Sequence, residues 1–161
     1  MIRFGGTSPM SAMNKTIEKA TTEQLGILLP LVRAFHAHEG IAMSEADRDS
    51  VTRRLLADPT WGRIWLIFDG ADVAGYIAIC TGFSIEFRGN DAFVDEFYVR
   101  PESRGRGLGT RALQRVRIEA KALGIRALHL EVDRSNLKAR KLYANAEFEA
   151  REDYMLMTSL L

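Results

Sequence analysis

The chain has 161 residues, enough for one domain with a proper core, and 47% of them are hydrophobic and 27% charged, an ordinary globular balance. Lys and Arg number 22 against 21 Asp and Glu, so no global field draws in nucleic acid. The single cysteine, Cys80, excludes an intramolecular disulfide and suits a reducing, cytoplasmic setting, and no apolar run approaches the ~20 residues that span a bilayer.

Residues 1–13 (MIRFGGTSPMSAM) lack a continuous apolar stretch of the secretory kind and read as a flexible leader. One domain is expected over 14–161, without repeats or an internal linker. Lys15–Ala20 is a short edge-strand candidate. Thr21 and Gln24 have capping-box spacing, and Leu25, Leu28, Leu29, Val32 and Phe35 recur at helical spacing, with Pro30 expected to kink or split that helix. A second helix starts at the N-cap Ser44, carries Val51, Leu55 and Leu56 as its apolar stripe, and ends at Asp58-Pro59.

Trp61–Phe68 and Asp72–Cys80 are rich in aromatic and β-branched residues around an Asp69-Gly70 turn, which predicts a hairpin. Thr81–Asn90 reads as a strand end and a loop. Ala92–Val99 is a central strand, and a helix follows from about Leu108 to Leu123, with Leu113, Val116, Ile118, Ala120 and Leu123 expected inward and Gly124 ending it. Arg126–Val132 alternates as a strand, Asn136–Asn145 is a short helix, and Phe148–Thr158 has a final strand pattern. Strands interrupted by two helix pairs point to a mixed α/β domain with helices on both faces of one sheet.

Between the central strand and its helix lies Arg104-Gly105-Arg106-Gly107-Leu108-Gly109. Glycines at a helix start let several N–H groups converge on one anion, and the helix N-terminus adds unpaired donors and a positive dipole end. Arg104 and Arg106 supply positive charge. A dinucleotide-binding reading needs G-x-G-x-x-G spacing, which is lacking. An RNA-binding reading needs stacking aromatics and a basic excess, also lacking. A plain turn with hydrated arginines is the bland alternative to a phosphate grip.

This loop, the preceding Asp95-Glu96-Phe97-Tyr98-Val99-Arg100-Pro101 and the Asn136…Tyr143 spacing together resemble the GNAT superfamily of N-acetyltransferases, with polyamine-type members such as spermidine/spermine N-acetyltransferases the nearest pattern. The resemblance spans roughly Met13 to the C-terminus. It implies a mostly antiparallel mixed sheet flanked by helices, and transfer of an acetyl group from acetyl-CoA to a primary amine of a polyamine, aminoglycoside or amino-acid-like molecule. It also implies that N–H groups from Gly105 through Arg106, Gly107, Leu108 and Gly109 to Thr110 hold a pyrophosphate. Phe97, Tyr98 and Val99 would pair with the pantetheine amides, Asn136 would touch that arm, and Tyr143 would serve the departing thiolate. A homodimer is a common arrangement in the family. A protein- or peptide-acetylating enzyme and a non-catalytic acyl-CoA sensor are the alternatives.

Only the free base of an amine attacks a thioester, so Asp95 and Glu96 are the candidate proton acceptors. Neighbours on a regular strand point to opposite faces, so one of the two at most is expected to line the site, and which one stays open. Solvated or salt-bridged strand carboxylates are the alternative. Tyr143 has a packed helix aromatic as its alternative reading, and Asn136 a simple N-cap. The family's Gly-Phe after this helix is Glu147-Phe148 here, which bears on the local turn. His36, His38 and Glu39 do not form H-E-x-x-H, so no metal site is expected. A surface or boundary position is expected for both histidines, with one of them free to border a substrate cleft. Trp61, Trp65 and Phe83 are expected in core or hairpin packing, and Cys80 as a buried, inert thiol.

Overall fold

Aromatic and β-branched residues on both sides of Gly70 fold as the central hairpin, β2 (Gly62–Asp69) and β3 (Asp72–Ser84). In this computed structural model, which describes residues 16–161, β3 runs on into a second hairpin with β4 (Gly89–Val99). β1 (Ile17–Lys19) pairs antiparallel with β2, and β5 (Ala127–His129) pairs parallel with β4, giving the order β1-β2-β3-β4-β5. Helices α1 (Leu25–Glu39) and α2 (Glu45–Ala57) cover one face; α3 (Leu108–Ala122) and α4 (Leu137–Asn145) cover the other. The expected mixed, mostly antiparallel sheet between two helix pairs is therefore present. No helix among the described residues is long and apolar enough to cross a membrane.

Each face has its own core. Leu28, Leu31 and Val32 of α1 pack with Leu66, Tyr76, Ala78 and Tyr98. Ala112, Leu113 and Val116 of α3 pack with Ile77, Ile79, Val94 and Val99. The caps follow the sequence: Gln24 accepts from the Thr21 N–H at 3.0 Å, Ser44 accepts from Asp47 N at 3.1 Å, and Asn136 accepts from Ala139 N at 3.0 Å.

Several expectations are corrected. Pro30 does not split α1, which runs unbroken over 15 residues; it lies on the solvent side, where water can take the hydrogen bond its missing N–H would have made. Leu55 and Leu56 of α2 pack inward as expected, but they share that face with buried Arg48 and Thr52, whereas Val51 is exposed. Ile118, two positions from the buried Val116 and Ala120 of α3, and Leu123, just past its end, are exposed as well, and Trp61 and Phe83 are exposed while Trp65 is buried. Thr81–Asn90 is mostly strand, since β3 continues to Ser84 and β4 starts at Gly89.

The strand expected over Arg126–Val132 shrinks to three residues, and Phe148–Thr158 forms no strand. Alternation specifies a face but supplies no partner edge. The leader over residues 1–13 and the strand position Lys15 lie outside the described residues.

Candidate active site

The carboxylates sit at an irregularity in β4. Ala78 pairs with Glu96 and the next residue, Ile79, pairs with Val94, so Asp95 is an extra residue with no partner on β3. The apolar positions change phase across this bulge. Ala92 and Val94 face α3 before it, and Phe97 and Val99 face α3 after it. Glu96 and Tyr98 face α1. Asp95 turns to that same side, where it accepts the Cys80 thiol hydrogen. The expectation that the two carboxylates point to opposite faces is thus overturned: the bulge brings both to the α1–α2 side.

Their surroundings differ. Glu96 Oε1 lies 2.6 Å from His36 Nε2, and Tyr76 donates its hydroxyl to Oε2 at 2.7 Å. His36 is itself oriented, because Arg48 Nε donates to its Nδ1 at 3.2 Å. An arginine N–H can only donate, so Nδ1 is the acceptor and Nε2 carries the hydrogen given to Glu96. Arg48 is held in turn by the Met43 carbonyl at 3.0 Å and by Glu45. The buried chain Arg48–His36–Glu96–Tyr76 therefore leaves neither Glu96 oxygen without a donor. His36, expected near the surface, is 3% exposed.

Asp95 has no such partners. It keeps its outer part in solvent, yet burial of its carboxyl, and then the charge of Glu96, push its pKa up from the usual aspartate value, against a smaller pull from the Cys80 hydrogen bond. Burial and the Asp95 charge push the half-buried Cys80 thiol up to about 11, which keeps it a thiol at neutral pH.

At the other end of β4 the chain makes a short 3-10 turn, Pro101–Ser103, and then the glycine loop. Gly107 is the N-cap of α3 with φ 71°, a left-handed conformation that glycine adopts without strain. The first N–H to find a carbonyl is that of Arg111, which reaches Gly107 O at 3.1 Å. Among the described residues, the six N–H groups from Gly105 to Thr110 have no acceptor. The Leu108 side chain is in the core, so only its backbone is free to bind. A Cβ on Gly109 would stand 3.0 Å from Leu142 Cδ1 and 3.2 Å from Phe97 Cζ, so the helix start needs a glycine there to lie this close to β4.

The two arginines are less free than the sequence suggests. Arg104 Nε donates to Val99 O at 2.7 Å and its guanidinium lies over the Tyr98 ring at 5.6 Å, while Arg106 pairs with Asp69 in the β2–β3 turn. β4 and β5 pair only from Asp91 to Phe93. Beyond that they splay, leaving the β5-facing edge of β4 without a strand partner through Phe97, Tyr98 and Val99. Tyr143 of α4 packs on Phe97 and Phe148, with ring centroids 6.5 and 6.2 Å apart. Its hydroxyl has no hydrogen-bond partner among the described residues, and burial, then the Glu39 charge, raise its pKa, so it holds its proton. Asn136 is exposed and spends its side chain on the cap.

A family model described as Acetyltransferase (GNAT) family matches residues 31–148. The chain belongs to this family. It is thereby an acyltransferase of the GNAT type. An integron cassette protein from the mobile metagenome of Cole Harbour Salt Marsh is 34% identical, with 96% of this chain and 97% of that one covered and a TM-score of 0.81. Aminoglycoside 6'-N-acetyltransferase from Acinetobacter haemolyticus is 17% identical over 91% of this chain and 99% of that one, with a TM-score of 0.71. A predicted acetyltransferase from Clostridium acetobutylicum, with acetyl-CoA, is 19% identical over 88% and 94%, also at 0.71. At such identities the last two speak for the fold alone. No curated protein matches the chain.

Two hollows meet at Asp95 and Glu96. A cleft of about 1180 Å³ follows the splay, with Phe93–Glu96 on one wall, Leu128–Arg134 on the other, and Glu39 and Phe148 beside them. A smaller cavity of about 320 Å³ lies between α1, α2 and the sheet and shares Asp95 and Glu96 with the cleft. Sequence reasoning missed Arg48 and Tyr76 as parts of this site and left open which of His36 and His38 borders it; it is His36. His36 carried a signal, since it lies four residues beyond Val32 on the apolar stripe of α1. Arg48 and Tyr76 carried none, because the chain they complete joins elements far apart in sequence. Among the described residues no group of three His, Cys, Asp or Glu could hold a metal ion.

Proposed function

We propose that this GNAT protein moves an acetyl group from acetyl-CoA to a primary amine of a small molecule in a ternary complex, without a covalent acyl-enzyme. The observation that carries the reading is the run of acceptor-free N–H groups from Gly105 to Thr110 at the start of α3, next to the unpaired edge of β4. Such a run suits a pyrophosphate, and a strand edge suits the amides of an extended pantetheine arm. The residues present fit the co-substrate. When bound, acetyl-CoA supplies the activated thioester.

The chain's own groups then have separate tasks. Asp95 takes the proton that an incoming ammonium must lose, because its raised pKa moves it toward the range of a working base. Glu96 is fixed by His36 and Tyr76 and adds negative charge that favours the cation. Tyr143 keeps its proton and offers a hydrogen bond to the departing sulfur. Asp95 belongs to the α1–α2 face and Tyr143 to the α3–α4 face, so base and donor approach from opposite sides of the splay. Positioning is the main source of rate in such an arrangement. Cys80 stays a thiol beside Asp95, which argues against a nucleophilic role.

Free-thiol release from acetyl-CoA over a panel of amines and lysine peptides tests the proposal. Amine-dependent release is expected. Failure to bind acetyl-CoA would refute the reading, and binding without release on any amine would leave a sensor in its place.

A further inference from the structure

We propose that the smaller cavity is the acceptor pocket, and that it takes a monoamine whose single cation is carried on a compact apolar or aromatic body. The inference rests on the acyl-transfer reading and narrows its substrate class. The thioester arm belongs to the splay, because the loop and the free β4 edge both open there. An acceptor has to approach the carboxylates from another direction, and the cavity of about 320 Å³ is the hollow on that side.

Its chemistry is uneven. Asp95 and Glu96 line it together with His36 and Thr52, and Val32, Met43, Leu55 and Ile64 give it an apolar wall. At the mouth, Val51 is 46% and Trp61 59% exposed. Neither contributes to a core, and together they form an apolar rim that a bound ligand would cover. Charge decides the number of cations. Glu96 already accepts from His36 and Tyr76, which leaves Asp95 as the carboxylate for one ammonium. Arg54 also lines the cavity, so a second ammonium would meet a guanidinium instead of a carboxylate. The volume lies at the small end of ligand pockets, roughly 300–1,000 Å³, and suits a phenylethyl-sized body better than an aminoglycoside.

Trp61 supplies a probe. The only other tryptophan, Trp65, is 4% exposed, so a ligand-induced change in tryptophan emission reports Trp61. The full chain is titrated with 2-phenylethylamine, spermidine, kanamycin and methylamine, and thiol release is measured with acetyl-CoA on the same four. A saturable emission change with 2-phenylethylamine that Trp61→Phe removes is expected, together with the highest kcat/KM for that amine. In Trp61→Ala, the ratio of kcat/KM for 2-phenylethylamine over methylamine should fall about tenfold, as lost apolar contact predicts. Thermal melting checks that both variants fold. Preference for spermidine or kanamycin, or an unchanged ratio in Trp61→Ala, overturns the inference while acetyl transfer stands. An emission change without turnover on any amine supports the pocket's ligand class and sinks acetyl transfer instead. Neither signal overturns both.

Discussion

Replacing one carboxylate at a time separates the tasks assigned to Asp95 and Glu96. Glu96 accepts at 2.6 and 2.7 Å from two groups that belong to α1 and β3, so it cannot swing out to replace a missing base. Asp95→Asn should therefore lower kcat by about 10²–10⁴-fold, the usual contribution of a positioned base, or roughly 3–5 kcal/mol of barrier. Glu96→Gln keeps an acceptor for the His36 Nε2–H and a partner for the Tyr76 hydroxyl, so these hydrogen bonds are weakened and not lost, and its loss should stay within about tenfold, about 1.4 kcal/mol. The pH dependence gives an independent check. A base works deprotonated, so kcat/KM falls as pH drops through the Asp95 pKa, which burial and Glu96 hold above the usual aspartate value. Glu96→Gln removes the like charge, and the fall should move to lower pH. The assay is thiol release across pH for the wild type and both variants. Full turnover in Asp95→Asn with loss in Glu96→Gln would refute the assignment.

Three further changes probe the framework. His36→Ala leaves Arg48 Nε and Glu96 Oε1 without their shared partner in a buried setting, which should cost about 2–4 kcal/mol and lower Tm by about 5–15 °C; an unchanged melting curve would mean the buried chain contributes nothing. Gly109→Ala drives a Cβ to 3.0 Å from Leu142 and 3.2 Å from Phe97, so a loss of about 1–3 kcal/mol is expected from overpacking, along with weaker acetyl-CoA binding by calorimetry as α3 shifts from β4. Glu147 holds φ 63°, where a side chain is strained, and its exposed pair with Arg117 at 2.6 Å is a surface contact of small worth. Glu147→Gly should raise Tm by about 2–4 °C, and a lower Tm would show that the surface pair outweighs the strain.

What could be read from the sequence was local. The glycine loop, the Ser44 and Asn136 caps and the Asp69-Gly70 turn each depend on a few neighbouring residues, and each formed where its pattern stood. The bulge was also written in the chain, as apolar positions Ala92 and Val94 that resume at Phe97 and Val99 after a shift in phase. Phe93 and Tyr98 are apolar too, so the change of parity was hidden. The inward role of Arg48 ran against its charge, and only partners from α1 and the loop before α2 make its burial tolerable. Phe148–Thr158 failed as a strand for the complementary reason. Its alternation was genuine, but β5 itself spans only three residues.

One inserted residue in β4 accounts for how these pieces work together. Counted on from Val94, a regular strand would have sent Glu96 toward α3, away from His36 and Tyr76, and turned Phe97 and Val99 out of that core, leaving a carboxylate among apolar side chains. With the bulge, Glu96 joins Asp95 on the α1–α2 face, Phe97 and Val99 resume the α3 core, and the strand goes on to deliver the loop at the start of α3. The same stretch of β4 has lost its β5 neighbour, so its edge is open beside Asp95. An acyl donor held along that edge and an amine held against Asp95 would then meet across a single strand, with Tyr143 on the far side. The arrangement needs both departures from a regular sheet. A splay without the bulge would expose an edge with Glu96 turned away from Asp95, and a bulge without the splay would pair the two carboxylates beside a closed edge.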